Sequence, residues 1–178
     1  MSAEADRSAQ SAEKLENASR PTGSDWPTPG NDVTMLTVQQ ILDTKGNDIW
    51  STKPSAPVYW ALEVMAEYDI GALLVMEGEK LVGIMSERDY ARKVRLQGKS
   101  SLETPVNDIM TRRVRVVSPK ANLLTALRLM SEKGIRHLPV VQGDTVIGVV
   151  SQGDVVKKIM EQQDFTISQL ENYISGTR

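Results

Sequence analysis

The chain has 178 residues, with 21 Lys plus Arg against 23 Asp plus Glu, one His and no Cys, a formal charge of -2. Without cysteine there is no disulfide framework, no thiolate nucleophile and no Cys-ligated zinc or iron-sulfur site, and a lone imidazole is too few for the usual catalytic zinc centres. An apolar content of 40% is enough to close the core of one domain or two small ones, and no stretch approaches the roughly 20 apolar residues that cross a bilayer.

Residues 1–35 read as a disordered tail. Between Ser2 and Asn31 the only large apolar side chains are Leu15 and Trp26, set among Ser, Ala and Pro, too little surface to offset the entropy of ordering. A marginal local helix over 8–18 is the one element expected there. The segment has neither a basic n-region nor an apolar h-region, and its acids outnumber its bases, so import signals are disfavoured and a cytoplasmic location is expected.

The first repeat is placed at 36–97. It opens with the lead-in TVQQIL (37–42), then a short β-rich run, Ile49 to Thr52, closed by Pro54. Val58, Ala61, Leu62 and Met65 follow at the i, i+3, i+4, i+7 spacing of a packed helix. Two apolar strands, Gly71 to Met76 and Leu81 to Met85, flank the turn Glu77-Gly78. A helix then starts at Ser86, where Ser-x-x-Asp is an N-terminal capping signature.

A linker at 98–104 leads to a second repeat at 105–162. It has the lead-in PVNDIM (105–110), a β-rich run Val114 to Val117, a helix faced by Leu123, Ala126, Leu127 and Met130, strands His137 to Val141 and Thr145 to Val150 around Gly143-Asp144, and a helix from Ser151. Residues 163–178 read as one more helix, its apolar stripe formed by Phe165, Leu170, Tyr173 and Ile174.

The two copies are related by an offset of 65: Pro119 falls on Pro54, Ala126 on Ala61, Met130 on Met65, Gly148 on Gly83, Ser151 on Ser86 and Asp154 on Asp89. The lead-ins are offset by 68, and the three extra residues are expected in a loop from Asp43 to Asp48. Each unit is therefore β-α-β-β-α. Strands apolar on both faces need cover on both sides, so the copies are expected to pack as a pseudo-twofold α/β (α+β) pair with a cleft on each side of the seam.

With GIMSERD at 83–89, GVVSQGD at 148–154 and RHLPVV at 136–141, residues 37–160 resemble a tandem pair of cystathionine-β-synthase (CBS) domains, the Bateman module. The resemblance implies a stand-alone, non-catalytic sensor whose clefts take adenosine-containing ligands, AMP, ADP, ATP, NAD(H) or S-adenosylmethionine, and it implies a homodimer that signals to an unidentified regulated protein. Asp89 and Asp154 would accept the ribose hydroxyls, because a carboxylate offers two acceptor oxygens. Ser86 and Ser151 add hydroxyls beside them, and phosphate would lie at the two helix starts. Ala72, Leu73, Leu138 and Pro139 would flank the adenine, Thr52 would be a further ligand-binding residue, and Gly83 and Gly148 would let backbone approach the ligand. Arg136 and His137 would meet phosphate. Their counterparts are Gly71 and Ala72, so the two sites are expected to be unequal, the first drawing charge from Arg88 or borrowing Arg136 across the seam.

Plainer readings stand beside these. Ser-x-x-Asp can serve only as a helix cap, a contribution of about 0.5 to 2 kcal/mol, leaving a structural dimerisation scaffold with degenerate clefts. His137 can be a satisfied edge histidine. Met65 and Met130 are expected in the core; Trp50, Tyr59 and Trp60 are either packing residues or a dimer patch. Residues 86–115 carry eight basic side chains against four acidic ones, which fits a solvated face, a phosphate-rich ligand mouth or a nucleic-acid surface. Nucleic acid is disfavoured by the overall charge and the lack of interleaved aromatics. Gly98-Lys99-Ser100 is not a P-loop, since Lys93 occupies the position of its first glycine, and no nucleophile or acid-base pair points to an enzyme.

Overall fold

A computed structural model of the chain describes residues 36–175, excluding the side chains of residues 173 and 174. The expected tail at 1–35 lies outside the described residues, as do residues 176–178.

The elements run α1 (Val38–Lys45), β1 (Ser51–Thr52), α2 (Val58–Glu67), β2 (Ala72–Glu77), β3 (Lys80–Ser86), α3 (Glu87–Lys93), α4 (Val106–Ile109), α5 (Leu123–Lys133), β4 (His137–Gln142), β5 (Thr145–Ser151) and α6 (Gln152–Ser175). The periodic faces are buried as expected: Val58, Ala61 and Met65 in α2, and Leu123, Ala126 and Met130 in α5. Gly78 and Gly143 take left-handed φ of 61° and 62° at the two hairpin turns, a conformation open to glycine at no steric cost.

The first sheet has the order β1-β2-β3, with β1 parallel to β2 and β2 antiparallel to β3. The second contains β4 and β5 alone. The β-rich run at 114–117 does not become a strand: Val117 forms a single parallel bridge to Val140, donating to the Pro139 carbonyl at 3.0 Å and accepting from Val141 N at 2.9 Å. It lies beside β4 as β1 lies beside β2, but for too short a distance to extend the ladder. Both hairpins slip register at matching places, Val75/Met76 and Val140/Val141, so the repeat extends to the irregularity.

The lead-in helices are exchanged between the repeats. Leu36, Val38, Ile41 and Leu42 of the first lead-in pack with Leu123, Ala126, Met130, Leu138 and Val150 of the second repeat. Val106, Ile109 and Met110 of the second lead-in pack with Val58, Ala61, Met65, Leu73 and Met85 of the first. The backbone repeats the exchange, since Val38 N donates to the Ala121 carbonyl and Val106 N to the Ala56 carbonyl, each at 2.9 Å. The expected boundaries 36–97 and 105–162 follow the order of the sequence, while in space each lead-in closes the core of the other repeat.

This exchange also accounts for the two strand glycines. A Cβ on Gly83 would stand 2.5 Å from Met110 Sδ, and one on Gly148 would stand 2.7 Å from Leu42 Cδ2. The space they leave is filled by the exchanged helices, not kept for a ligand.

The C-terminal segment is a second correction. No break separates the helix begun at Ser151 from the run at 165–174; α6 is one helix of 24 residues. At about 100° per residue, Phe165 lies about 140° from Leu170, so the two do not share a stripe. Val156, Met160, Ile167 and Leu170 do share one, and all four are exposed. Among the described residues no helix is long and apolar enough to cross a membrane.

Candidate functional site

Sheet register determines which groups meet at the seam. Ala72 pairs with Ser86 across β2 and β3, and His137 pairs with Ser151 across β4 and β5. Each serine is thus both the last residue of a strand and the cap of the next helix, and the chain turns there so that the third residue of that helix, Asp89 or Asp154, faces back toward the sheet edge.

Both Ser-x-x-Asp segments form reciprocal caps. Asp89 Oδ2 accepts from Ser86 N at 3.0 Å and from Ser86 Oγ at 2.7 Å, while Asp89 N donates to Ser86 Oγ at 3.3 Å. Asp89 Oδ1 pairs with Lys93 Nζ at 2.7 Å. Asp154 Oδ2 accepts from Ser151 N and from Lys45 Nζ, each at 2.7 Å, and Asp154 N donates to Ser151 Oγ at 3.1 Å. Burial pushes the Asp154 carboxyl up, but the bonds from Lys45 and Ser151 outweigh it and hold it below its ordinary value.

A cavity opens beside each cap. The Asp89 cavity, about 300 Å³, is lined by Ser86, Arg88, Asp89 and Arg92 from the first repeat and by Arg113, Arg115, Arg136 and His137 from the second, with Ile84, Val114 and Ile135 as its apolar walls. The Asp154 cavity, about 420 Å³, is lined by Lys45, Asp48, Trp50, Tyr68, Asp69 and Ala72 from the first repeat and by His137, Val149, Ser151 and Asp154 from the second. Each cavity draws residues from both repeats. In the second, the rings of Trp50 and Tyr68 stack at a centroid distance of 3.5 Å, and Trp50 also packs against the first core, so it is a packing residue that borders the cavity rather than part of a surface patch. Tyr59 and Trp60 are exposed on α2.

Gly71 and His137 line both cavities. A Cβ on Gly71 would stand 3.4 Å from His137 Cε1, so the seam is tight there. Burial, then the cation of Lys45, lowers the His137 pKa from its ordinary 6.5; Asp154 opposes the shift, and Arg136 and Arg88 add to it. Arg88 crosses the seam itself, donating from Nη1 to the Gly134 carbonyl at 2.9 Å.

The other expected site residues lie elsewhere. Leu73 and Leu138 are 0% exposed and belong to the two cores; Pro139 is buried opposite Val149 in β4; Thr52 is half-buried and paired with Val75. None of the four lines either cavity. The apolar walls come instead from the outer ends of strands and from the segments that enter them.

Lys45, Asp48, Asp69 and Tyr68 are absent from the sequence-derived set. α1 has eight residues against four in α4, its extra turn running into the segment expected as a loop from Asp43, and Lys45 stands at that extended end. The basic excess over residues 86–115 was the available signal for Arg92, Arg113 and Arg115, and the fold gathers all three at one cavity.

A family model for the CBS domain matches residues 38–96 and 106–161. The mitochondrial CBS domain-containing protein CBSX3 of Arabidopsis thaliana is 37% identical over 150 residues, covering 79% of this chain and 72% of its own length. A protein with CBS domains from Burkholderia ambifaria, of known structure, is 46% identical with a TM-score of 0.70, covering 72% of this chain and 96% of its own. A CBS domain pair solved with 5-methylthioadenosine and S-adenosyl-L-methionine shares the fold at 24% identity and a TM-score of 0.64, covering 72% of this chain and 98% of its own.

Proposed function

The chain belongs to the CBS-domain family, whose paired repeats form a regulatory module, and from that premise we propose that it is a non-catalytic sensor of adenosine-containing ligands that signals to a partner protein in trans. The observation that carries this reading is the pair of cavities at the seam, each bounded by one Ser-x-x-Asp helix start and by residues of the opposite repeat. Their volumes, about 300 and 420 Å³, suit a small molecule. A ligand held there touches both repeats, so it favours one relative arrangement of the halves over another. Such a difference is what couples binding to a partner, typically by about 1 to 3 kcal/mol.

AMP, ADP, ATP, NAD(H) and S-adenosylmethionine are the ligands to test. Asp89 and Asp154 are the ribose acceptors in this reading, with Ser86 and Ser151 beside them, and Arg88, Arg136 and His137 serve the phosphates. Ribose must then displace Lys93 or Lys45 from its carboxylate, a lysine 40% or 45% exposed from an aspartate 17% or 26% exposed. The fold relative bound to methylthioadenosine and S-adenosylmethionine supports the adenosine class. Leu73, Leu138, Pro139 and Thr52 are not ligand contacts in this reading.

The chain acts as a homodimer in this reading, through the exposed stripe of α6, and in the cytoplasm, although CBSX3 is mitochondrial. The reciprocal caps also fit a scaffold with degenerate clefts. Thermal unfolding with the ligand panel separates the two: a ligand at 100 times its dissociation constant adds about 2.7 kcal/mol, and no shift with any of them at millimolar concentration overturns the sensor. Oligonucleotide binding weakened by Arg112 and Arg113 substitution would instead favour a nucleic-acid role.

A further inference from the structure

Resting on that reading, we propose that the two cavities are divided by charge: the Asp89 cavity takes an adenosine ligand bearing a polyphosphate, and the Asp154 cavity takes one without phosphate, uncharged or cationic. The argument comes from positions related by the offset of 65. Arg113 of the first cavity is replaced in the second by Asp48, Arg115 by Trp50 and Arg136 by Gly71. Gly134 of the first is replaced by Asp69, and Arg88 has only Gly153 as its counterpart. All five differences leave the first cavity more basic than the second.

The consequences for a ligand are electrostatic. In the first cavity, five arginines line a recess whose acids are Glu87 and Asp89, and Asp89 is already paired with Lys93. Guanidinium groups match phosphate oxygens bidentately, and a recess with a positive excess concentrates counter-charge. In the second cavity Lys45 is the one basic side chain among the lining residues besides His137, and it is engaged by Asp154. A phosphate there would face the carboxylates of Asp48 and Asp69, whereas a cationic or neutral ligand meets those acids and the stacked Trp50 and Tyr68, an arrangement that favours positive charge.

Calorimetric titration of the full chain at low salt tests this with two probes, ATP and 5-methylthioadenosine. Each should bind one site per chain, and each should still bind when the other is saturating. Arg113→Gln with Arg115→Gln should weaken ATP about tenfold or more and leave methylthioadenosine within about twofold. Asp48→Arg, an exposed change that copies the first cavity into the second, should raise the ATP stoichiometry toward two. Competition of the probes for one site, two ATP sites in the unaltered chain, or ATP binding indifferent to Arg113 and Arg115 overturns the charge division while leaving the sensor reading in place. Failure of both probes to bind overturns the charge division and the sensor reading together.

Discussion

Lys45 Nζ lies 2.7 Å from Asp154 Oδ2, an ion pair between side chains 109 positions apart in sequence. It joins the end of the first lead-in helix to the cap of the last helix, and it exists because the lead-ins are exchanged between repeats. The lysine side chain is 45% exposed and the aspartate 26%, so the pair stands at the rim of its cavity rather than inside a core.

Removing the lysine should therefore cost little stability and change binding more. Lys45→Met leaves Asp154 with its Ser151 bonds, and an ion pair this exposed contributes about 0 to 1 kcal/mol. Adenosine no longer has to displace a cation from the carboxylate, so its affinity for the Asp154 cavity should rise several-fold. Calorimetry with adenosine and with the unaltered chain as control reads the difference, and a weaker complex would place Lys45 on the ligand instead of on Asp154.

Gly83 and Gly148 supply a test of the exchanged packing. An added Cβ meets Met110 Sδ at 2.5 Å or Leu42 Cδ2 at 2.7 Å, and Met110 and Leu42 are themselves buried. Gly83→Ala and Gly148→Ala should each destabilise by about 1 to 3 kcal/mol through overpacking. The double variants Gly83→Ala/Met110→Ala and Gly148→Ala/Leu42→Ala should be more stable than the sum of their single changes predicts. Additive losses in chemical denaturation would mean that glycine and helix are not in contact.

Much of the fold is legible because helix faces, hairpin turns and Ser-x-x-Asp starts are local patterns that appear twice. Their duplication also locates Asp89 and Asp154 at equivalent places beside the seam. What a period does not specify is which core a helix joins: Val38, Ile41 and Leu42 form an apolar face suited to either repeat, and only the assembled fold assigns them to the second. The same gap hides Lys45, whose partner is set by that exchange. It also misplaces Leu73 and Leu138: they directly follow Ala72 and His137, which line the cavities, and the alternation of a strand turns them to the opposite face, into the two cores.

His137 gives a pH dependence with a definite sign. Burial and the cations of Lys45, Arg136 and Arg88 hold its folded pKa below 6.5 despite the opposing charge of Asp154. The unfolded chain thus takes up the proton first as the pH falls, so the stability from the neutral imidazole is complete above about 6.5 and declines below it. Asp154, held below its ordinary value, keeps its charge over this window. Denaturation midpoints measured from pH 7.5 to 5 should fall, and His137→Asn should flatten the slope. An unchanged slope in that variant would assign the pH dependence to other groups.

The α6 stripe bears on assembly. Val156, Met160, Ile167 and Leu170 repeat at intervals of four, seven and three on one side of the helix, the spacing of a two-helix seam interrupted at Gln163. Leu170 and Phe165 are equally exposed, at 57% each, but Phe165 points away from the stripe, so the two form a matched pair of tests. Leu170→Asp removes a buried leucine from both copies of a homodimer, at about 1.5 kcal/mol or more per copy, which weakens association by about 100-fold. Phe165→Asp should leave the mass in solution unchanged. Light scattering over a concentration series reads both variants, and equal effects from the two, or none from Leu170→Asp, would exclude this face of α6 as the contact.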